Sequence, residues 1–207
     1  MTNQLGISLR ETEDELIRDM LLSGAGQINC VGGVNGDNPT EFTASDIAGA
    51  GATLFNANAY TIADKIEGQN KFGTSPVRNS YFAMGNSNLT QSLDNVDGFI
   101  HSSQYPSQMN ILESEWGSVK NVRFLLSSIG STSPNDSFLG NTVYNTFVAG
   151  MESYGFVRQD RESAHFIYLP PEIAGGNLAL NASLGWKTRN AQEILNDAWV
   201  LNLRSTI

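Results

Sequence analysis

From Val119 onward the chain is a succession of short runs in which Val, Phe, Tyr and Leu recur at alternate positions: Val119–Ser128, Thr142–Gly150, Ala164–Pro170, Leu178–Lys187 and Ala198–Arg204. Alternation of this kind, rich in β-branched and aromatic residues, predicts strands with one face buried. Loops of Gly, Ser, Asn and Pro separate the runs, as turns require. Ser80–Gly85 is a further strand-like run.

Helical patterns stand mostly before these strands. Ser8-Leu9-Arg10-Glu11 reads as a capping box, in which a hydroxyl and a carboxylate satisfy unpaired N–H groups. It predicts a helix from about Leu9 to Leu22, with a partial apolar stripe of Leu9, Leu16, Ile17, Met20 and Leu21, and Gly24 placed to end it. Arg10 and Asp14, and Asp14 and Arg18, stand four residues apart. On a helix these are opposite-charge pairs, each worth about 0.2–0.5 kcal/mol. A turn-rich connector, Gly24–Glu41, follows. A second helix begins after a Thr43 cap, with Asp46 in its first turn and Ile47, Leu54 and Phe55 on its apolar face. Gly49 and Gly51 weaken such a helix by about 1 kcal/mol each relative to Ala and suit close packing. Asn88–Val96 reads as a short helix capped by Asn88, with Leu89, Leu93 and Val96 on one side. A last helix is expected over Arg189–Asn196, capped by Thr188. Helices and strands segregate along the chain, so the class is α+β.

Composition narrows the function. The 207 residues suit one domain or two small ones. Net charge is -9, and the 12 basic residues form no block. Phosphate binding relies on an excess of Lys and Arg, so a nucleic-acid reader is excluded. No apolar run approaches the ~20 residues of a membrane span, and no signal peptide is visible. The single cysteine, Cys30, rules out an intrachain disulfide. Charged residues make up only 16% of the chain, against about 25% in typical domains. A neutral-polar surface of this kind fits a protein held against copies of itself, and equally a β-rich secreted protein.

Signatures of bond chemistry are incomplete. Gly24 and Gly26 are followed by Asn29 where a nucleotide loop needs its third Gly. Asp37 and Asn38 lack the alternating acids and distant Glu of a calcium loop. His101 and His165 have no metal-ligand partner at helical spacing, and Cys30 has no activating neighbour. The acids Glu11, Glu13, Asp14 and Glu15 read as solvated helix charge. Paired carboxylates that meet only in space keep a carboxylate-dependent hydrolase as one alternative. Trp116, Trp186 and Trp199 suit core or interface packing, and otherwise a sugar platform. A β-rich decoration or glycan-binding module is therefore the other alternative. Asn88, Asn135 and Asn181 open glycosylation sequons of a kind that chance supplies in a chain rich in Asn and Ser.

Four stretches share order and spacing with one family. Glu115–Ser128 (EWGSVKNVRFLLSS) carries a Trp-Gly step and a strand with one Arg; Arg10–Leu21 is RETEDELIRDML; Val143–Gly155 is VYNTFVAGMESYG; Leu184–Thr206 is LGWKTRNAQEILNDAWVLNLRST. Together they resemble the major capsid proteins of tailed bacteriophages, which share the Johnson, or Hong Kong 97-type, fold. The resemblance implies a spine helix and connector over 1–40 in a peripheral domain, a mostly axial region over 41–180, and a return to the peripheral domain over 181–207. The family's N-terminal arm and extended loop precede its spine helix and have no counterpart here. The match is thus to the C-terminal two-thirds: the resemblance implies either a C-terminal fragment or a capsid protein divided between two chains, with an N-terminal capsid segment on another chain as the partner in the second case.

The implied role is architectural: copies self-assemble into hexamers and pentamers of an icosahedral capsid enclosing double-stranded DNA, alongside scaffold, portal or decoration proteins. It needs no catalytic residue, cofactor, metal, sequence-specific nucleic acid or membrane. It places the subunit in the virion, made in the bacterial cytoplasm. The implied structural candidates are Arg10, Asp14, Arg18, Trp116, Arg123, Phe124, Gly150 and Trp186. Trp116, Val122 and Phe124 would pack the sheet, and Arg123, on the opposite face from Val122 and Phe124, would pair with a carboxylate within the subunit or across a boundary. Gly150, Gly155 and Gly185 would serve turns or close backbone approach.

Overall fold

The computed structural model describes residues 2–62, 79–105, 111–112, 114–134, 140–158, 164–174 and 180–207. Among them are the helices α1 (Thr2–Gly24), α2 (Ala44–Asn56), α3 (Thr90–Asp94) and α4 (Pro171–Ala174). The strands are β1 (Gly26–Asn29), β2 (Tyr81–Asn86), β3 (Ile100–His101), β4 (Glu115–Val119), β5 (Val122–Ser127) and β6 (Thr132–Ser133). They continue with β7 (Val143–Ala149), β8 (Tyr154–Arg158), β9 (His165–Leu169), β10 (Ser183–Lys187), β11 (Asn190–Ile194) and β12 (Val200–Ser205). The class is α+β. The chain divides into two compact units, one of Met1–Ile17 with Tyr154–Glu193 and one of Arg18–Ser153 with Ile194–Ile207.

The larger unit is built on an eight-stranded mixed sheet in the order β1-β12-β7-β2-β5-β4-β3, with β6 paired to β7. The pairs β1–β12 and β2–β5 are parallel and the others antiparallel. Strand alternation puts Tyr81, Ala83, Val122, Phe124, Val148, Leu201 and Leu203 on one face. There they pack with Ile47, Ala50 and Leu54 of α2 and with Phe42, Leu89 and Leu93 in a single apolar cluster. Full burial of each large member contributes about 1.5–3 kcal/mol.

Helix α2 is set against this core by its own first turn. The Thr43 hydroxyl accepts from the Asp46 N–H, and the Asp46 carboxylate accepts from the Thr43 N–H at 3.0 Å. Asp46 also accepts the Gly33 N–H at 2.6 Å, fastening the preceding loop to the helix start. A Cβ on Gly51 would come within 2.5 Å of the Asn121 side chain, so this glycine permits the close packing expected of it.

The smaller unit contains the beginning of α1 and two two-stranded ribbons, β9–β10 and β8–β11, the last residue of β11 belonging to the larger unit.

Several expectations require correction. Helix α1 starts at Thr2, so Ser8 lies inside it and is no cap; its carbonyl accepts from the Thr12 hydroxyl. The Gly24 end is as expected. Val119–Ser128 is not one strand, because Lys120 takes a positive φ of 54° and turns the chain between β4 and β5. The short helix capped by Asn88 is a 3-10 turn plus α3, and its capping side chain is Asn86. Arg189–Asn196 is not helical: Asn190–Ile194 is strand β11, paired with β8. The connector contains β1, which hydrogen-bonds to the C-terminal strand. Phe55 is exposed, not part of the α2 core face. Of the expected Leu178–Lys187 strand, 178 and 179 lie outside the described residues, as does the sequon at Asn135.

Candidate assembly site

The Trp-Gly step has a structural cause. Glu115 pairs with Leu125 and Gly117 with Phe124, leaving Trp116 as the extra residue of a β-bulge. An unbroken strand would put Glu115 and Ser118 on opposite faces; the bulge brings Glu115 to the face that carries Arg123. The Arg123 Nε donates to Glu115 Oε1 at 2.7 Å, and its Nη2 donates to Oε2. Both residues are only 7% exposed.

The remaining carboxylate capacity is also used. The Tyr105 hydroxyl donates at 3.0 Å and the Leu112 N–H at 3.1 Å. Burial pushes Glu115 upward. The Arg123 hydrogen bonds, the Leu112 N–H and the Tyr105 hydroxyl outweigh it and hold the group below its ordinary value. The guanidinium lies 5.2 Å from the Phe82 ring, a cation–π contact on its other side. Arg123 thus pairs within the subunit.

Trp116 donates its indole N–H to Asp94 at 2.8 Å, and its ring meets His101 edge-on at 4.7 Å. Gly117 must be glycine: a Cβ there would lie 2.5 Å from the Ile100 carbonyl oxygen and against the Phe99 ring. Phe124 is fully buried and meets Phe42 edge-on at 6.4 Å.

Gly150 sits at a crossing of backbones. Its N–H donates to the Trp199 carbonyl at 3.0 Å, and a Cβ would lie 3.0 Å from the Tyr60 carbonyl oxygen. Trp199 is held beside it by an indole bond to the Ala57 carbonyl at 3.0 Å and an edge-on contact with Tyr60. Gly185, by contrast, has open space around its would-be Cβ, so no close approach among the described residues explains it. Gly155 lies within β8.

On α1, Arg18 pairs with the adjacent Asp19 at 2.8 Å and donates to the Ile129 carbonyl at 2.9 Å, not to Asp14. Burial and the Glu13 charge raise Asp14, and Arg10 offsets them in part. The buried acid of this turn, read as solvated from sequence, is Glu13, which accepts from Arg158 at 2.7 Å. Arg158 in turn lies 5.0 Å from the Phe156 ring.

Trp186 stands on the β9–β10 ribbon opposite Phe166, with Leu184 opposite Tyr168. All five residues of β9 are exposed. The Cys30 thiol is buried, and burial pushes it well above its ordinary range, away from nucleophilic use.

No protein-family model and no curated protein matches this chain. Solved structures do. One of Mycobacterium phage Che8 is 14% identical, with a TM-score of 0.60, over 98% of this chain and 61% of the matched chain. The head structure of Helicobacter pylori bacteriophage KHP40 is 13% identical, with a TM-score of 0.63, over 99% and 66%. The acidic stable capsid structure of Helicobacter pylori bacteriophage KHP30 is 10% identical, with a TM-score of 0.62, over 100% and 68%. The chain thus spans about two-thirds of the length of the chains it matches. The likeness is one of fold: the α+β arrangement is that of phage capsid proteins, as the resemblance implied.

Proposed function

We propose that this chain is a structural subunit of an icosahedral phage capsid, one that joins copies of itself into hexamers and pentamers around double-stranded DNA. One observation carries the reading: essentially the whole chain, 98–100% of it, superposes on structures described as phage, phage head and phage capsid. The role is architectural, and it asks for no catalytic group or cofactor. A net charge of -9 suits a wall that encloses a genome without gripping it. The subunit is made in the bacterial cytoplasm and resides in the virion.

Its partners in this reading are copies of itself, with an N-terminal capsid segment and scaffold, portal or decoration proteins as further ones. We propose a peripheral domain over 1–40 with the long helix, a mostly axial region over 41–180 and a return to the peripheral domain over 181–207. In this scheme Trp116, Arg123, Phe124 and Gly150 keep the axial region in shape, and Arg10, Asp14, Arg18 and Trp186 belong to the peripheral one.

Neither rival gains support. Trp116 and Trp199 are tied into separate clusters, so they form no common sugar platform. Glu115 and Glu13, the buried glutamates among the described residues, are each engaged by an arginine.

The test is to image particles from the native source by electron cryomicroscopy and to count this chain by mass spectrometry. Closed shells containing it in many copies are expected. A few copies at a vertex or tail, or none, overturn the reading.

A further inference from the structure

The β9–β10 ribbon is paired to no other strand among the described residues. Two-stranded ribbons are marginal in water unless a face is covered. Its register puts Phe166 and Tyr168 of β9 on the same face as Trp186 and Leu184 of β10. Phe166 is 56% exposed, Tyr168 59% and Leu184 40%, with Trp186 half-buried. The other face is mixed, pairing His165, Ile167 and Leu169 with Lys187, Gly185 and Ser183.

We infer that the Phe166–Tyr168–Leu184–Trp186 face docks against a second copy of this chain. The inference rests on the shell reading and gives that shell one of its contacts. Area supports it. A large aromatic presents about 150–250 Å² to be buried, so two that are half exposed leave roughly 200 Å² uncovered before Leu184 and Trp186 are added. The total is on the order of the largest apolar patch an ordinary monomer shows, and such patches mark interaction sites. It is roughly a third to a half of the ~800 Å² per partner of a stable isolated complex. That is too little for a tight dimer and suited to a contact repeated through a lattice.

Charge selects the partner. Within 164–174 and 180–187 the charged side chains are Glu172 and Lys187, which cancel. Two copies that each carry -9 meet with least repulsion where neither presents net charge. The same neutrality gives a polyanion or a strongly basic partner nothing to hold.

The experiment uses the full chain, expressed with whatever capsid partners the wild type needs to form particles. Assembly of wild type, F166S/Y168S and L184S is compared across subunit concentration by sedimentation velocity and electron microscopy. Hydrogen exchange is followed in free subunits and in particles. The expected result is a rise of roughly tenfold or more in the concentration F166S/Y168S needs to assemble, as for loss of central aromatic anchors. L184S should show a smaller rise in the same direction. Exchange in β2, β5 and β7 of the free variants should be unchanged, and β9–β10 of the wild type should gain protection on assembly.

Assembly of F166S/Y168S at wild-type concentrations overturns the inference, as does a ribbon equally unprotected in particles. So does wild-type binding to phosphatidylcholine vesicles that the variant loses while its assembly is normal, since the face would then be a lipid contact. Failure of the wild type to appear in any shell overturns the shell reading itself, a different result.

Discussion

Arg123 and Glu115 illustrate a buried charge pair whose worth shows only when it is broken. Both charges are taken out of water, and their mutual hydrogen bonds, the Leu112 N–H and the Tyr105 hydroxyl offset that loss. Arg123→Met leaves a buried carboxylate without its cation, and is expected to destabilise the larger unit by about 3–5 kcal/mol near neutral pH. The double variant E115M/R123M should recover most of that, because an apolar pair of similar volume carries no desolvation cost.

The pH dependence has a fixed sign. Glu115 is held below its ordinary value in the folded chain, so it binds its proton later than the unfolded chain does. Its contribution is fully present above the unfolded value of about 4.3 and is lost as pH falls through the folded one. Urea melts at pH 7 and in steps below about pH 4.5 should show this acid-linked loss in wild type and not in E115M/R123M. An equal acid slope in both would remove Glu115 from the account. Gly117 offers a second test nearby. With the Ile100 carbonyl oxygen only 2.5 Å from where a Cβ would stand, Gly117→Ala must shift the β3–β4 edge. A loss of about 1–3 kcal/mol is expected in the same melts, and a neutral result would show that the edge yields freely.

Helix α2 owes its position to one carboxylate that serves three donors: the Thr43 N–H, the Thr43 hydroxyl and the Gly33 N–H. Thr43→Ala removes the hydroxyl that accepts the Asp46 N–H and donates to its carboxylate, and should cost about 1 kcal/mol. Asp46→Ala also strips the Gly33 N–H of its acceptor, so it should cost clearly more, by equilibrium urea unfolding at an unchanged m-value. Equal losses would mean that the Gly33 tether contributes nothing.

This cap was readable in advance, because its residues are local and its logic is sequential. The same holds for β2 and β7, whose apolar and β-branched runs spell strands of the buried sheet. Asn190–Ile194 was not readable. The residues that turn inward there are Asn190, Gln192 and Ile194, two of them polar, so alternation exists in burial but not in hydropathy. Pairing with β8 then overrides a plausible helix start at Thr188. The bulge at Trp116 hid for a related reason. Nothing local shows that Glu115 and Arg123 share a face until the partner strand sets the register. The Arg123 partnership was foreseen as a type of contact, and its carboxylate was not. The exposed ribbon was seen as strands, and its bareness follows only from knowing that among the described residues no third strand joins it.

Taken whole, the chain combines a charge of -9 with a ribbon face that is apolar and neutral. These two features make opposite demands on the solvent. Repulsion between subunits is long-ranged at low salt, where the screening length is about 30 Å at 0.01 M, and short-ranged by 0.15 M, where it is about 8 Å. Apolar contact is nearly indifferent to such salt. Assembly held by apolar surface against net repulsion must therefore strengthen as salt is added. A particle held by attraction between basic side chains and phosphate does the reverse, since its affinity falls steeply with salt. The assembled fraction at fixed subunit concentration should accordingly rise between about 0.01 and 0.3 M sodium chloride, followed by light scattering and sedimentation. A fall over that range would place the driving force in charge pairing, with DNA or with an oppositely charged partner segment. The apolar ribbon would then be at most a secondary contact. A rise that F166S/Y168S shares in sign but reaches only at higher subunit concentration would separate the two contributions in one experiment, because screening acts on the whole subunit and the substitution on one face.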